Sequence, residues 1–458
     1  MKKRVLFINP WIYDFAAYDY WLKPVGLLYI ASLLNKLGVE VILLDLLDRH
    51  SKELKAFLRT EIKDRFFGTG KFHFEEIEKT ALLKQIPRIY KRYGFPLKLT
   101  EKILERFSTE KFDAIFVTST LTYWYPGVWD TIKLVKKYFP SVPVVLGGIY
   151  TSLFPKHAEK SGADYVLKST SMEVAQNIIE KILKVDIPES LIKNWFQELM
   201  PMYELYDGLK YAVLLTSLGC PFKCSYCASW KLQPDFKVNN PIEVVKYIER
   251  LSLKGVEDIV FFDDAILVAK ENFKKLLKLI ISEGLNTLRY HLPNGLHVRL
   301  VDEETARLLK IANFKTVILA VETLDPLLQR KTSNKLISED FYRAVNILKK
   351  EGFSDELKVY LLINIPGQNE EDVLRSINVC HELGLRIYLN EYTPIPFTRD
   401  WEYLQRIGVV SEKTDPLLLN NKVLPYWSNV GLDAPTIERL KAYVRDLNLK
   451  LKEKEVMS

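Results

Sequence analysis

The chain has 458 residues, of which 48% are hydrophobic and 27% charged, and its net charge is +7. This length and composition exclude a disordered or fibrous chain and predict a globular protein of two or three domains. The charge imbalance is small for so long a chain and gives no strong signal of nucleic-acid binding. Residues 25–34, the apolar stretch near the N-terminus, follow a strand with helical spacing and predict neither a signal peptide nor a transmembrane segment.

Apolar β-rich runs alternate with helical patterns in the first part of the chain. This alternation is typical of an α/β fold with a doubly wound parallel sheet of flavodoxin or Rossmann type. The strands are predicted at residues 5–9, 39–45, 113–119, 142–148 and 164–168. The helices are predicted at residues 25–37, 127–138 and 172–183. We therefore assign residues 1–185 to one α/β domain.

Polar and glycine residues stand at the carboxyl ends of these strands, where such sheets bind ligands. They are Thr118, Ser119, Thr120, Gly147 and Gly148. Hydroxyls offer directed hydrogen bonds, and glycines let a ligand approach the backbone closely. The alternative is that the two glycines make only a tight turn between a strand and a helix.

A segment at about residues 51–107 interrupts the alternation, and its pattern predicts a helical insertion. Basic and aromatic residues are interleaved within it, in RIYKRYG at residues 88–94. One interpretation is a solvated amphipathic helix whose apolar side faces the sheet. The other is an anion-binding flap over the active site. The apolar residues concerned are Ile86, Ile89, Tyr90 and Tyr93, and the basic ones are Arg88, Lys91 and Arg92.

After a predicted linker at residues 186–207, a second series of strands alternates with helices. These strands are predicted at residues 213–218, 258–263, 287–293, 316–322, 359–365 and 387–393. Six βα units are enough for about three quarters of a TIM-type barrel, whose chemistry sits at the carboxyl ends of its strands. We predict a partial (β/α)6 barrel over residues 208–400 and a helical C-terminal extension over residues 401–458.

The segment SLGCPFKCSYCASW follows the first strand of this series. Its cysteines, Cys220, Cys224 and Cys227, are spaced so that one short loop can ligate three irons of a [4Fe–4S] cluster. The fourth iron then keeps the open site that chemistry requires. A structural zinc site would need a fourth ligand, whereas Cys380, the remaining cysteine of four, lies in a core-like helical pattern. Cysteines this sparse do not resemble a disulfide framework and favour a cytoplasmic location without a second cluster.

The motif CPFKCSYC resembles the cluster loop of the radical S-adenosylmethionine superfamily. DIVFFDDAIL, AVETLDPLLQRK, INIPGQNEED and YTPIPFTRDWEYL resemble motifs on the second, fourth, fifth and sixth strands of its barrel. The resemblance implies contacts to S-adenosylmethionine from Tyr226, Asp263, Asp264, Glu322 and either Arg330 or Lys331. Ala320 and Asn364 stand where that family often has glycine.

The segments PVGLLYIASLL and LGGIYTSLFPKHAEKSGADYV resemble the cobalamin-binding domain that precedes many such barrels. This resemblance implies that the strand-end residues 118–120 and 147–148 lie near a cobalamin. The segment after Asn9 lacks the D-x-H-x-x-G signature, so a bound cobalt would have no histidine as its lower ligand.

Together these resemblances imply an enzyme with a [4Fe–4S] cluster, S-adenosylmethionine and cobalamin as cofactors, which cleaves S-adenosylmethionine reductively to a 5′-deoxyadenosyl radical. They favour a cobalamin-dependent methyltransferase that acts on an unactivated carbon. A radical cyclase, rearrangement or oxidation enzyme without cobalamin and a non-enzymatic, metal-stabilised interaction protein remain alternatives. The implied partners are a small-molecule, lipid or peptide substrate and a reductant such as flavodoxin or ferredoxin.

Overall fold

The computed structural model of the chain describes residues 2–60, 62–332, 338–354 and 357–457. They form two compact units, and each is built on a mostly parallel sheet, which confirms the predicted α/β class. The first unit comprises Met1–Val213, Leu253–Val256 and Pro416–Leu418, and the second comprises Leu214–Ser252, Glu257–Asp415 and Leu419–Ser458. Among the described helices, none combines the length and the apolarity that a membrane span requires.

A five-stranded parallel sheet forms the centre of the first unit. In spatial order its strands are Tyr165–Val166, Val144–Leu146, Ala114–Val117, Arg4–Asn9 and Glu40–Asp45. Val5, in the fourth of these, pairs with Ala114 on one side and Val41 on the other. A strand covered on both faces needs apolar residues at successive positions, and Val5, Leu6, Phe7 and Ile8 are fully buried.

The helices of the first unit agree with the predicted positions outside the insertion. The main ones are Val25–Lys36, Leu97–Ser108, Tyr125–Tyr138 and Met172–Leu183, with shorter helices at Ile149–Leu153 and Pro155–Ala158. The last long helix begins at Ser171, whose hydroxyl accepts a hydrogen bond from the Val174 amide. Such a cap satisfies one of the amides that the first turn leaves without a partner.

The prediction of a helical insertion is wrong for most of residues 51–107. Only Lys52–Leu58 and Leu97–Ser108 are α-helices, and between them lie Gly70–Lys71, Phe74–Glu76 and Lys91–Tyr93 as strands and Ala81–Leu83 as a 3-10 turn. Ile86, Tyr90 and Tyr93 are buried as predicted, whereas Ile89 is 54% exposed. The spacing of these four apolar residues resembles that of a helix. The segment Lys91–Tyr93 nevertheless forms its backbone hydrogen bonds with neighbouring strands, one of which is Ile12–Asp14.

The segment predicted as a linker, residues 186–207, packs within the first unit. It forms the short helices Glu189–Lys193 and Trp195–Glu198. The rings of Trp195 and Phe196 are buried, and their centroids lie 5.1 and 6.2 Å from that of Tyr29. Large aromatic side chains therefore anchor a segment whose sequence shows no clear periodicity.

A six-stranded sheet forms the partial barrel, as predicted. In spatial order its strands are Tyr211–Leu214, Asp258–Phe261, Arg289–Leu296, Phe314–Glu322, Leu357–Ile363 and Arg386–Glu391. The strands are followed by the helices Pro241–Leu253, Lys270–Ser282, Glu303–Ile311, Pro326–Thr332, Ser338–Lys350, Glu370–Glu382 and Arg399–Arg406. This order places the carboxyl ends of neighbouring parallel strands along one rim, where a barrel carries its active site.

The last strand of the partial barrel is an open edge that the C-terminal helix covers. This helix, Ala434–Met457, is part of the predicted helical extension. The Asn448 side chain accepts a hydrogen bond from the Ile387 amide at 3.0 Å and donates one to the Ile387 carbonyl at 2.9 Å. One amide side chain thus replaces a missing neighbouring strand at this position, which protects the edge from pairing with another chain.

Candidate active site

The cysteine loop is closed at its base by a short hairpin in the second unit. Ser217–Leu218 pairs antiparallel with Lys237–Val238, and residues 219–236 lie between these strands. Gly219 begins the loop with a φ of 84°. A Cβ at this position would lie 2.9 Å from the Gln233 carbonyl oxygen, so the chain can close here only with glycine.

The three cysteines lie close enough to influence one another's ionisation. Cys224 is buried, and Cys220 and Cys227 are partly buried. Burial, reinforced by the nearby charges of Cys227 and Cys224, raises the pKa of Cys220 to about 11. Thiols that oppose each other's deprotonation need a positively charged centre to become thiolates, the form that binds metals. By their chemistry, three sulfur donors on one loop suit an iron–sulfur cluster, although among the described residues no three Cys, His, Asp or Glu side chains already stand in metal-binding positions.

Two other loops of the barrel hold the middle of the cysteine loop. The Ser225 amide donates to the Thr332 carbonyl at 2.6 Å, and the Ser225 carbonyl accepts from the Asp400 amide at 3.0 Å. The Arg399 guanidinium donates to the carbonyls of Thr332 and Lys223 at 3.0 and 3.3 Å. The position of the cysteines therefore depends on the segments after the fourth and sixth strands. The motif YTPIPFTRDWEYL contains Arg399 and Asp400, but the sequence assigned neither residue a role, because these hydrogen bonds are made with backbone groups.

Asp263 binds the base of the cysteine loop. One of its oxygens, Oδ1, accepts hydrogen bonds from the amides and hydroxyls of both Thr216 and Ser217. Burial raises the pKa of Asp263 to about 6, and these hydrogen bonds oppose the rise. A carboxylate oxygen with four donors is committed to the turn that leads into the loop. The other oxygen, Oδ2, is buried and has no hydrogen-bond partner among the described residues, so the contact with S-adenosylmethionine that the resemblance implies for Asp263 stays a prediction.

Asp264 lies in a more accessible position beside the cysteines. Its side chain is exposed to solvent. Even so, desolvation by the surrounding protein raises its pKa, and its charge contributes to the raised pKa of Cys220. An accessible carboxylate that is surrounded by protein lies in a recess, where it can bind the amino group of a ligand.

Glu322 lies near enough to Tyr226 for its charge to affect the pKa of the phenol. Burial, followed by the nearby charges of Glu322 and Cys224, raises the pKa of Tyr226 well above its usual value. Glu322 ends the fourth strand with a φ of 66°, which is uncommon for a residue with a Cβ. Backbone strain of this kind concentrates at functional sites. The structure thus brings Tyr226, Glu322 and the cysteines together.

Lys331 is directed to the turn after the fifth strand. Its ammonium donates to the Pro366 carbonyl at 3.0 Å and lies 5.4 Å from the centroid of the Tyr403 ring. Asn364, at the end of that strand, has a φ of 68°, a conformation that asparagine tolerates better than most residues. Its side-chain oxygen also accepts a hydrogen bond from the Leu432 amide at 2.7 Å. These contacts explain how asparagine can stand at a position where the resemblance leads one to expect glycine.

In the first unit, the carboxyl ends of the strands border a small cleft. Its polar lining residues are Asn9, Lys23, Ser119 and Thr120, and Trp11 and Trp124 contribute aromatic surface. Among the described residues, none of those that line this cleft is a histidine. The lining offers hydrogen-bonding groups and aromatic surface to a ligand at this edge, and a cobalt without a histidine as its lower ligand stays a prediction from the missing signature.

Gly147 and Gly148 do not line this cleft but form a tight turn beside Ser119. Gly148 has a φ of 109°, and a Cβ there would lie 2.1 Å from the Ser119 carbonyl oxygen. The Ser119 hydroxyl donates to the Gly147 carbonyl at 2.7 Å. The structure thus favours the turn as the role of these two glycines. Thr118 also lies outside the lining of the cleft.

A buried network of charged and polar groups lies beside the cleft and was not predicted. The Lys23 ammonium is 3.2 Å from an Asp48 oxygen and 4.1 Å from the centroid of the Tyr206 ring. The Tyr206 hydroxyl and the Asn9 amide donate to Asp45 at 2.6 and 2.7 Å. Of the residues in this network, the sequence pointed only to Asn9 and Asp45, because both stand at the ends of predicted strands.

The basic residues of the insertion have local partners that weaken the interpretation as an anion-binding flap. Arg92 forms an ion pair with Glu75 at 2.6 Å, and its guanidinium lies 5.0 Å from the centroid of the Trp11 ring. The Lys91 ammonium lies 4.0 Å from the centroid of the Phe74 ring. Both positive charges therefore stabilise the insertion itself.

The chain is similar to known families over both units. Residues 214–380 match the radical SAM superfamily, and residues 91–179 match the B12 binding domain. An uncharacterised methyltransferase of Pyrococcus horikoshii is 24% identical over 335 residues, which are 66% of this chain and 71% of the relative. The anaerobic magnesium-protoporphyrin IX monomethyl ester cyclase of Rubrivivax gelatinosus is 21% identical over 67% of this chain and 60% of the relative.

Two solved structures share the fold. The radical S-adenosylmethionine methyltransferase TsrM from Kitasatospora setae, with cobalamin and a [4Fe–4S] cluster bound, has a TM-score of 0.66 and 18% identity. That match covers 89% of this chain and 75% of TsrM. The cobalamin-dependent S-adenosylmethionine radical enzyme OxsB has a TM-score of 0.58 and 11% identity, over 97% of this chain and 61% of OxsB. The cysteine loop and the sheet-edge cleft thus lie in a fold that both enzymes use.

Proposed function

Because the chain belongs to the radical S-adenosylmethionine superfamily, in the branch with an N-terminal B12-binding domain, we propose that it methylates an unactivated carbon of its substrate. The observation that carries this proposal is the loop of Cys220, Cys224 and Cys227 on the barrel rim, beside Asp264 and Glu322. On this proposal the cobalamin-binding domain spans residues 1–185 and the barrel spans residues 208–400.

The residues of the barrel rim divide into ligands and supports. The three cysteines would hold a [4Fe–4S] cluster, and Tyr226, Asp264 and Glu322 would contact S-adenosylmethionine; the accessible carboxylate of Asp264 suits its amino group. When bound, these groups and methylcobalamin supply one-electron cleavage of S-adenosylmethionine and a transferable methyl group. Asp263 and Arg399 keep the loop in one conformation, which fixes the positions of the thiolates before any ligand binds.

The first unit would hold cobalamin at its cleft. Asn9, Ser119 and Thr120 offer hydrogen-bond donors and acceptors to the amide groups of a corrin, and the two tryptophans offer apolar contact. Gly147 and Gly148 serve this site indirectly, since their turn positions Ser119.

Analysis of the products of S-adenosylmethionine tests the proposed function. The anaerobically reconstituted chain is expected to bind about one cobalamin and about four irons, and to form both S-adenosylhomocysteine and 5′-deoxyadenosine. The first product reports methyl transfer, and the second reports reductive cleavage. Both are measured by chromatography with mass detection, with a cobalamin-free preparation as the control.

A second candidate function is radical cyclisation or oxidation, favoured by the similarity to the magnesium-protoporphyrin cyclase. That function predicts 5′-deoxyadenosine without S-adenosylhomocysteine in the presence of cobalamin. Formation of neither product by a chain that holds its full complement of iron contradicts both candidates.

A further inference from the structure

The fifth and sixth strands of the partial barrel have one face that helices cover and one that they leave open. Leu361 and Ile387 point to the covered face and are buried. Glu391, on the same face as Ile387, forms an ion pair with Lys441 of the C-terminal helix. Successive side chains of a strand alternate between its two faces. The residues between these positions therefore point into the barrel interior.

One row of interior side chains runs across three neighbouring strands and is unevenly filled. Ala320, Tyr360 and Tyr388 are paired in register on the fourth, fifth and sixth strands, so their side chains share one face. Gly295 lies beside Ala320, because a Cβ on this glycine would be 3.0 Å from the Cβ of the alanine. The interior of such a barrel is normally packed with side chains. In this row small residues stand beside large rings, and Tyr388 remains 40% exposed.

The two tyrosines, Tyr360 and Tyr388, form an aromatic wall near a residue of the candidate active site. Their ring centroids are 6.1 Å apart, and the ring planes meet at 74°. After burial, the charges of Tyr388 and Glu322 are the next causes of the raised pKa of Tyr360, so the aromatic wall lies near Glu322. Asn390, the next interior position along the sixth strand, is also exposed. An exposed ring and an exposed amide thus lie on the interior face, near a residue proposed to contact S-adenosylmethionine.

We propose that this aromatic wall, together with Asn390, binds the substrate and selects a molecule with a flat aromatic ring system. The inference rests on the proposed function and names the substrate class of that same site. Rings packed edge to face leave the face of one ring available to a further ring, and aromatic pairs favour such geometry. The Asn390 amide offers a donor group and an acceptor to polar groups at the edge of the substrate. Because strands hold both rings in place, a rigid flat partner loses less conformational entropy on binding than a flexible one.

Titration calorimetry with two matched probes tests this proposal: 2-naphthol, which is flat and aromatic, and decahydro-2-naphthol, its saturated and puckered analogue. The cluster-loaded chain is titrated with S-adenosylmethionine present at saturation, so that the adenosine site is already filled. 2-Naphthol is expected to bind with a Kd of about 1 mM or lower, and about fivefold more tightly than its saturated analogue. Tyr388→Leu is expected to weaken the binding of 2-naphthol by about 10-fold, whereas Tyr388→Phe keeps the ring and should stay within about twofold.

The matched control is Tyr342→Leu, because Tyr342 is 43% exposed on the helix Ser338–Lys350 of the same unit. This variant is expected to bind 2-naphthol as the parent chain does. The aromatic-wall proposal is overturned if Tyr388→Leu and Tyr342→Leu bind 2-naphthol alike, if the two probes bind the parent chain equally, or if 2-naphthol does not bind.

The affinity for S-adenosylmethionine separates the aromatic wall from the cofactor site. Tyr388→Leu is expected to bind S-adenosylmethionine with a Kd within about twofold of the parent value, because the ring is assigned to the substrate. A 10-fold weaker Kd, on the order of a lost aromatic contact, would place Tyr388 in the cofactor site and overturn the aromatic-wall proposal. A parent chain that holds iron but does not bind S-adenosylmethionine overturns the proposed function as well.

Discussion

The variant Cys224→Ser is expected to lose its iron–sulfur absorption and to form about 10³-fold less 5′-deoxyadenosine than the parent chain. A hydroxyl is a poor substitute for a thiolate, and the loop offers no other sulfur at that corner of the cluster. Cys224 is also the most buried of the three, so water cannot easily take the place of its side chain. Iron content, visible absorption and product analysis on anaerobic protein measure the effect.

The matched control is Cys380→Ala. Cys380 is fully buried in the helix Glu370–Glu382, and only desolvation raises its pKa. Its replacement is expected to lower the free energy of unfolding by about 1 kcal/mol and to leave the iron content and the products unchanged. Retention of the cluster by Cys224→Ser, or its loss from Cys380→Ala, would contradict the assignment of the three loop cysteines as ligands.

The adjacent residues Asp263 and Asp264 are expected to give opposite results when each is replaced. Asp263→Ala removes the acceptor of four donors from Thr216 and Ser217, and each buried donor left without a partner costs about 1–3 kcal/mol. The loop should therefore lose its fixed shape, and most of the iron should be lost on gel filtration. Asp264→Asn should keep the iron but bind S-adenosylmethionine about 10-fold more weakly, because a charge-assisted hydrogen bond is lost.

Iron analysis and titration calorimetry with S-adenosylmethionine separate these two effects. Asp263→Asn keeps one oxygen as an acceptor and is expected to recover much of the iron that Asp263→Ala loses. If Asp263→Asn retains its iron but no longer binds S-adenosylmethionine, while Asp264→Asn binds normally, the two roles are assigned the wrong way round.

The two carboxylates could not be distinguished by sequence for a simple physical reason. Two successive residues that follow a strand point their side chains in different directions. Which direction each side chain takes depends on the hydrogen-bond donors that surround it. Asp263 takes its position from Thr216 and Ser217, which lie more than forty residues earlier in the chain. Such long-range pairing leaves no local periodicity, whereas the C-x-x-x-C-x-x-C spacing lies within one short segment and could be interpreted directly.

The difference between local patterns and long-range contacts also explains which parts of the fold the sequence could predict. Strands buried on both faces, such as Arg4–Asn9 and Phe314–Glu322, require apolar runs that stand out along the chain. The strand Lys91–Tyr93 was not recognised because it is only three residues long and one of its two partners, Ile12–Asp14, is distant in sequence. Arg399 was missed for a related reason, since its partners are carbonyl groups that every residue possesses.

Pulsed electron paramagnetic resonance of the reduced chain with S-adenosylmethionine labelled with ¹⁵N at its amino group tests the central claim most directly. If three cysteines hold a [4Fe–4S] cluster and leave one iron open, the labelled nitrogen binds that iron and gives a resolved hyperfine coupling to the cluster spin. A reduced, fully loaded cluster whose spectrum shows no ¹⁵N coupling at saturating S-adenosylmethionine would contradict the account.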